Sequence, residues 1–564
     1  MRWTLRDIPE KKQFQTLADK LDINPRLLTL LLQRGIDSFE KAKHFFRPDL
    51  ADLHHPFLMK DMDKAVQRIE KAVALSENIL IYGDYDVDGT TAVSLVFSYL
   101  RESYSNVATY IPDRYDEGYG ISYRGIDFAL DNDFSLIIAL DCGIKAIEKV
   151  AYASEKGIDF IICDHHRPGE QLPGAVAVLD PKRTDCDYPY KELCGCGIGF
   201  KLIQALASTK GQSIQDLSHY LDLVAVAVAA DIVPITGENR ILTYFGLRQL
   251  NTNPRTGIRA LINELKKESL SITDVVFIIA PRINAAGRMK HGNHAVELLI
   301  ENDFDKALEF AAQIEKFNAD RKNLDELITA QALQQIEKNN ELNNFTSVVF
   351  QDDWHKGVIG IVASRLIETY YRPTLVFTKN GTKLAASARS VSGFDIYNAL
   401  EACSETIEQF GGHKYAAGLT LLEENYLRFK EQFEEVVKTT IHPDLMSPQL
   451  KLDLEISLSD ITPKFYRILK QFAPFGPGNM KPVFVVRNVR DTGFGRRVGS
   501  DASHLKLQVT DGKMTFDAIG FGLGDYYDAV KNENSFDIAF TVEENEWNGT
   551  ISLQLNLRDI RIAQ

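Results

Sequence analysis

Short apolar runs that stop at a carboxylate constrain this chain more than any other feature. ILIYG (79–83) runs into Asp84, LIIAL (136–140) into Asp141, and FIIC (160–163) into Asp164, His165 and His166. VATYI (107–111) and AVAVL (175–179) are runs of the same kind. Between them lie segments such as TTAVSLVFSYLRE and AIEKVAYASEKG, whose apolar residues recur at helical spacing. Short strands alternating with amphipathic helices predict a doubly wound, mainly parallel α/β sheet. Ligands of such sheets sit beyond the carboxyl ends of the strands, where Asp84 and Asp141 fall. VAVAA before Asp231 is read as another strand-like run that ends in acid.

The 564 residues suffice for several domains. Residues 1–45 read as short helices, with Leu17, Leu21, Leu28, Leu31 and Leu32 at helical spacing. The α/β pattern fills 46–302. Residues 303–343 hold no Pro or Gly and keep an apolar stripe through Leu308, Ala311, Ile314, Leu324 and Ile328. One connecting helix and two helices broken near Asn318 both fit that stripe. A smaller α/β region spans 344–442, with strands near VVFQ, TLVFT and LAASAR. After the turn cluster PFGPGN (474–479), segment 443–564 becomes β-rich, with Asn548-Gly549 as a hairpin signal. Closely spaced strands over that length predict an OB-fold barrel.

The net charge of −14 argues against a protein that coats nucleic acid, because phosphate neutralisation needs Lys and Arg. It leaves room for a nuclease, which needs only a local basic track beside an acidic metal site. No apolar run reaches membrane-spanning length, and MRWTLRDIPEKK lacks the apolar core of a secretory signal. The six scattered cysteines are no disulfide framework, and a reducing cytoplasm is the expected home. The lone Cys194-x-Cys196 has no zinc spacing, so packing is its expected role.

Asp84, Asp86 and Asp88 (GDYDVDG), Asp141, Asp164, His165, His166 and Asp231 would meet at one sheet edge. Burying so many carboxylates together is costly without cations. Oxygen ligands with one or two imidazoles suit Mn²⁺ or Mg²⁺, and histidine favours Mn²⁺. There are ligands enough for two ions, with Asp141 bridging. A pair about 3.5–4 Å apart activates water and stabilises phosphoryl transfer. Each Asp alone is usually a helix cap or turn former; the whole set is poorly explained that way. DYDVDG also begins like a calcium-binding EF-hand loop, but Leu95 stands where that loop needs Glu, and the flanks are strand and helix.

DYDVDG, DCG, DHH and ADIVP, in this order, resemble the first four motifs of the DHH phosphoesterase superfamily. PDRYDEGYG, PRINAAGR, GVIGIVASR, GGHKYAAG and FAPFGPGN narrow the resemblance to the RecJ family, 5′→3′ exonucleases specific for single-stranded DNA. The likeness runs from about residue 45 to the end of the sequence. It implies a DHH domain and a DHH-associated domain joined by a long helix, followed by the OB-fold. It further implies Asp86, Asp88, Asp141, His165 and Asp231 as ligands of two Mn²⁺ or Mg²⁺ ions. Asp84 would support those ligands at the catalytic centre, and His166 would face the scissile phosphate. Arg114, Arg288, Ser387 and Arg389 would hold the 5′ phosphate, and His413 would contact substrate. Arg282, Arg365 and His355 lie in related settings. For Arg365 a structural role is the better expectation, and His355 carries none beyond a phosphate contact.

The resemblance implies single-stranded DNA as substrate and mononucleotides as products. It also implies work in repair and recombination in the bacterial cytoplasm, as a monomer without membrane attachment. Single-strand-binding protein and a RecQ-type helicase are the implied protein partners. On the barrel, Phe494, Arg496, Arg497, His504 and Lys506 are candidate DNA contacts. Two alternatives compete with this expectation. A DHH-type phosphodiesterase for short oligonucleotides or small nucleotides would need neither barrel nor phosphate pocket. A non-catalytic scaffold would have lost metal ligands, and none is lost. Some family members carry a further C-terminal domain after the barrel.

Overall fold

The computed structural model describes residues 1–265, 267–531, 535–547 and 549–562. Five parallel strands form the first sheet: β1 (Asn78–Gly83), β2 (Val107–Tyr110), β3 (Phe134–Leu140), β4 (Asp159–Cys163) and β5 (Ala177–Leu179). Their order is β2-β1-β3-β4-β5, so the winding reverses between β1 and β3. Ile79 and Ile81 face one apolar core, Leu80 and Tyr82 the other. Side chains alternate across a strand, and apolar residues on both faces mark a sheet covered on both sides.

Helices α1 (Val87–Arg101), α2 (Gly195–Thr209), α3 (Leu221–Ala230) and α4 (Ala280–Met289) belong to this lobe. The run before Asp231 departs from expectation. VAVAA lies in α3, and Asp231 is that helix's C-terminal cap, not a strand end. Every residue of α3 but the last is buried, and an apolar run buried all round carries no period that separates helix from strand.

Residues Phe304–Lys338 form one helix, α5, unbroken at Asn318. At about 1.5 Å per residue it spans roughly 50 Å. Ala307, Ala311 and Ile314 pack into the core of the first lobe. Ile328, Ala332 and Ile336 pack into the second lobe, against α6 (Ile359–Thr369). The second sheet holds β6 (Ser347–Phe350), β7 (Thr374–Asn380), β8 (Lys383–Arg389), β9 (Gln409–His413) and β10 (Ala416–Leu422), in the order β9-β10-β8-β7-β6. Between the two apolar stretches of α5, Asn318, Arg321 and Asp325 are buried, and Arg365 of α6 donates to Asp325 at 2.7 Å. That pairing makes Arg365 structural.

The C-terminal barrel is built from β11 (Phe484–Asp491), β12 (His504–Thr510), β13 (Thr515–Gly520), β14 (Phe536–Trp547) and β15 (Thr550–Ile562). Pairing runs β11-β14-β15-β13-β12 and closes from β12 back to β11, with only β13 and β15 parallel within that circuit. This closed five-stranded circuit has the topology of an OB-fold. Trp547 pairs with Thr550 across the predicted hairpin, whose Asn548 lies outside the described residues.

Residues 1–45 hold the short helices expected, Lys11–Ala18, Pro25–Leu32 and Phe39–Phe46, and add one strand before them. Arg2–Leu5 is a strand paired in parallel with Gln449–Leu452. Leu17, Leu27, Leu28 and Leu31 share one core with barrel residues such as Phe465, Phe484 and Leu507. Arg240 ties the parts together. Its buried guanidinium donates to the carbonyls of Phe45, Gln471, Phe472, Ala473 and Pro474. Among the described residues no helix is long and apolar enough to cross a membrane.

Candidate metal centre and phosphate pocket

The carboxyl ends of β1, β3, β4 and β5 deliver Asp84, Asp141, Asp164 with His165, and Asp180 to one edge. Asp231 reaches the same edge from the end of α3. His165 Nε2 lies 3.2 Å from Asp141 Oδ1, 3.6 Å from Asp231 Oδ2 and 3.8 Å from Asp88 Oδ2. Three carboxylates crowd one ring nitrogen, yet neither His165 Nε2 nor Asp141 Oδ1 has a hydrogen-bond partner among the described residues.

The three acidic residues of GDYDVDG take different roles. Asp86 caps α1, accepting from the Gly89 N–H at 3.1 Å. Asp88 lies within the first turn of α1. Its carboxylate accepts from Gly195 N–H at 2.6 Å and Cys196 N–H at 2.7 Å. These are the free donors at the start of α2, and a helix N-terminus attracts an anion. The C-x-C cysteines are buried and unbridged, and their segment contacts Asp88 through backbone N–H groups. Asp84 is buried with both oxygens unpartnered; the N–H groups of Tyr85 and Gly120 face it without closing a hydrogen bond.

Burial raises Asp84 and Asp141 well above the usual carboxylate range, reinforced by Asp86 and Asp88 respectively. Asp88 is pushed up to about 7, by burial and then by Asp86, and Asp231 to about 8, by burial and then by Asp88. Burial, reinforced by His166, lowers His165 to about 3, which keeps its imidazole neutral and able to ligate.

Two sets of ligand atoms are compact enough for a metal: Asp88, His165 and Asp231, and Asp141, His165 and His166. Of the five expected ligands the structure brings together Asp88, Asp141, His165 and Asp231. Asp86 lies outside both sets, although its charge bears on Asp88 and Asp231. Unpartnered buried acceptors beside a neutral imidazole are a donor set that fits Mn²⁺ or Mg²⁺.

The His166 ring is held at both of its nitrogens. Nδ1 lies 2.7 Å from Asp164 Oδ1, and Nε2 is 3.1 Å from the Tyr119 hydroxyl. Burial opposes its charge, but Asp164 outweighs burial and raises His166 to about 9. Asp164 also accepts from the N–H groups of His165, His166 and Ile144. Asp164 as orienter, Tyr119 and the buried Asp180 carried no sequence assignment. The position of Asp180 directly after AVAVL was the available signal. Asp141 and Ile232 hold left-handed backbone, both at φ 60°; such strain costs on the order of 1–3 kcal/mol and clusters at functional sites.

Arg114, Arg288 and Arg389 lie near one another. Arg389 donates to Ser387 Oγ at 3.1 Å, and Arg288 donates to the Gly357 carbonyl at 3.1 Å. Burial, then Arg114 and Arg389, lowers Arg288 to about 9; burial, then Arg114, lowers Arg389. An anion would stabilise half-buried cations that disfavour one another in this way. His413 is not drawn in: it is exposed on β9, accepting from the Tyr415 N–H. Arg282 is paired with Glu315 at 2.6 Å, and His355 packs edge-on against Tyr115. On the barrel, Arg497 is taken up by Asp528, while Phe494 and Phe521 are exposed.

Residues 78–228 match the DHH family, N-terminal domain; 342–439 match the DHHA1 domain; 452–559 match the RecJ OB domain. The single-stranded-DNA-specific exonuclease RecJ of Bacillus subtilis is 35% identical, over 100% of this chain and 71% of that protein. Its Salmonella typhimurium counterpart is 30% identical, over 98% of this chain and 99% of that protein. The chain belongs to the RecJ family. RecJ of Thermus thermophilus, solved in complex with Mn²⁺, superposes with a TM-score of 0.86 at 26% identity, covering 100% of this chain and 80% of that one. The same RecJ in complex with Mg²⁺ gives 0.78.

Proposed function

We propose that this RecJ-family exonuclease shortens single-stranded DNA from its 5′ end and releases mononucleotides. The observation that carries the proposal is the closeness of an acidic cluster and a cationic one. Asp88, Asp141, His165 and Asp231 converge at the sheet edge, and Arg114, Arg288 and Arg389 cluster beside them. Bound Mn²⁺ or Mg²⁺, two per chain, supply Lewis acidity and activate water at neutral pH.

The chain's own groups do the rest. Asp88 and His165 are fixed before any ion arrives, Asp88 by the start of α2 and His165 by its place on the strand end. The protonated His166, held by Asp164, lies where charge grows on the phosphate. Arg114, Arg288, Ser387 and Arg389 receive the terminal 5′ phosphate, so the first phosphodiester bond reaches the metals. His413 contacts the strand from the hairpin of the second lobe. The passage between the lobes admits one strand and excludes a duplex.

We take the domains as 1–45, 46–302, 303–343, 344–442 and 443–564, with the first folded onto the last. The barrel grips the trailing strand through Phe494 and neighbouring cations. The enzyme works as a monomer in the bacterial cytoplasm, in DNA repair and recombination, with single-strand-binding protein and a RecQ-type helicase as partners.

Digestion of the same single strand labelled at its 5′ or its 3′ end, with Mn²⁺, tests this function. Early release of 5′-labelled mononucleotide is expected; early release of the 3′ label overturns it.

A further inference from the structure

Tyr85 stands between Asp84 and Asp86 in the acidic motif, and no metal or phosphate chemistry needs a phenol there. Its ring nonetheless lies under Arg114, whose guanidinium carbon is 4.3 Å from the ring centroid. Tyr119 meets the same ring edge-on at 6.2 Å. The backbone of Tyr85 is the floor against which α4 packs. A Cβ on Gly287, in α4, would sit 2.5 Å from the Tyr85 carbonyl oxygen; one on Gly292, just past α4, would meet Ile111 Cγ2 at 2.7 Å and touch the Tyr85 Cα at 3.4 Å. Gly287 immediately precedes Arg288. One residue therefore indexes both arginines that the first lobe gives to the pocket. The loop of Arg114 and the helix of Arg288 are also braced to each other, because the Tyr115 hydroxyl donates to the Arg288 carbonyl. Glu117 latches the same loop, accepting from Tyr110 Oη at 2.9 Å, Asp113 N–H at 2.8 Å and Ser122 Oγ at 2.5 Å.

We infer that Tyr85 is a positioning residue that sets the distance between the terminal-phosphate pocket and the metal edge, and so fixes the length of the released product. Because Tyr85 is continuous with the acidic motif, Arg114 cannot shift along the cleft without leaving the ring. A cation over an aromatic face is a contact that a flexible arginine loses when the ring is removed. The inference rests on the pocket proposed above for the 5′ phosphate.

The test compares Y85L, Y85F and R389A with the intact enzyme, on one strand carrying either a 5′ phosphate or a 5′ hydroxyl. Readouts are kcat and KM separately, the length of the released products, and Mn²⁺ affinity. Y85L should raise KM for the 5′-phosphorylated strand by about five- to thirtyfold. Its kcat and Mn²⁺ affinity should change by less than about threefold, and dinucleotides should appear beside mononucleotides. Y85F keeps the ring and should restore both preference and product length. Should Y85L fail to fold, Y85M removes the ring in its place. If the ring-less variant keeps the phosphate preference and releases only mononucleotides while R389A loses the preference, the role of Tyr85 is overturned and the pocket stands. A fall in Mn²⁺ affinity with KM unchanged likewise overturns it, since Tyr85 would then serve only the metal loop. If R389A itself keeps the preference, the pocket falls and the inference falls with it.

Discussion

The Gly195 N–H donates to Asp88 Oδ2 at 2.6 Å, and a side chain at position 195 would lie 2.5 Å from Asp141 Cβ. One glycine therefore touches two of the residues gathered for metal. G195A displaces Asp141 and lengthens the bond to Asp88. Disturbing partners that orient ligands typically costs 10–100-fold, so Mn²⁺ affinity should fall by about 10- to 100-fold with the circular-dichroism spectrum intact. Titration calorimetry checks this, and unchanged affinity would show that the contact is only packing.

Asp164 holds His166, and Asp164→Asn removes that charge without removing the side chain. The fold should persist while kcat drops by about 10²–10³, the usual cost of losing one stabiliser of transition-state charge. His166 is protonated below about 9 because of Asp164. In the variant it loses its proton at lower pH, so the alkaline limb of the kcat profile should move toward neutrality. An unmoved limb would mean that His166 does not act as a cation.

Without metal, folding stability should fall as pH rises from about 6.5 to about 8.5. Asp88 and Asp231 titrate at about 7 and about 8 in the fold, against about 3.9 for an unfolded aspartate. A raised folded-state value gives stability that is full below the unfolded value and lost as pH passes the folded one. His166, raised to about 9, works in the same direction over this window. His165, lowered to about 3, works oppositely, but only below its unfolded value of about 6.5. Saturating Mn²⁺ binds the deprotonated forms and should flatten or reverse the slope. Melting curves in EDTA and in Mn²⁺ across these pH values give the answer; a flat profile in EDTA would contradict the electrostatics described.

Arg240 bonds to five carbonyls from two separate segments, and its side chain stacks over Phe45 at 3.9 Å. R240M keeps the bulk and leaves those carbonyls unpaired, at about 1–3 kcal/mol for each one that water does not reach. The melting temperature should drop and limited proteolysis should release the barrel earlier, while Mn²⁺ affinity stays within about twofold. A wild-type melting temperature would mean that the parts dock without this tie.

The sheet was legible because its signal is local. Runs such as ILIYG and LIIAL are strand-length, apolar on both faces, and end in acid. Asp231 was placed at a strand end for a wrong reason: its run is a helix, and the eight consecutive apolar residues 223–230 have no period to read. The single long helix needed tertiary knowledge, because its two apolar halves serve different lobes and the polar Asn318 between them is buried. Equally hidden was the docking of residues 1–45 on the barrel, a pairing of Arg2 with Gln449 across the whole chain. Asp86 shows how far motif spacing goes: alternate carboxylates suggest a shared pocket, but helix geometry makes Asp86 a cap and sends Asp88 to the start of α2.

Cleavage should depend on ions held by Asp88, Asp141, His165 and Asp231. The most direct measurement is Mn²⁺ stoichiometry by paramagnetic resonance on the intact enzyme and on Asp141→Asn, with single-strand cleavage followed in the same samples. Two ions per intact chain are expected, with at least one lost from the variant and a fall in cleavage of about 10³ or more. Full Mn²⁺ occupancy and undiminished cleavage in Asp141→Asn would contradict it.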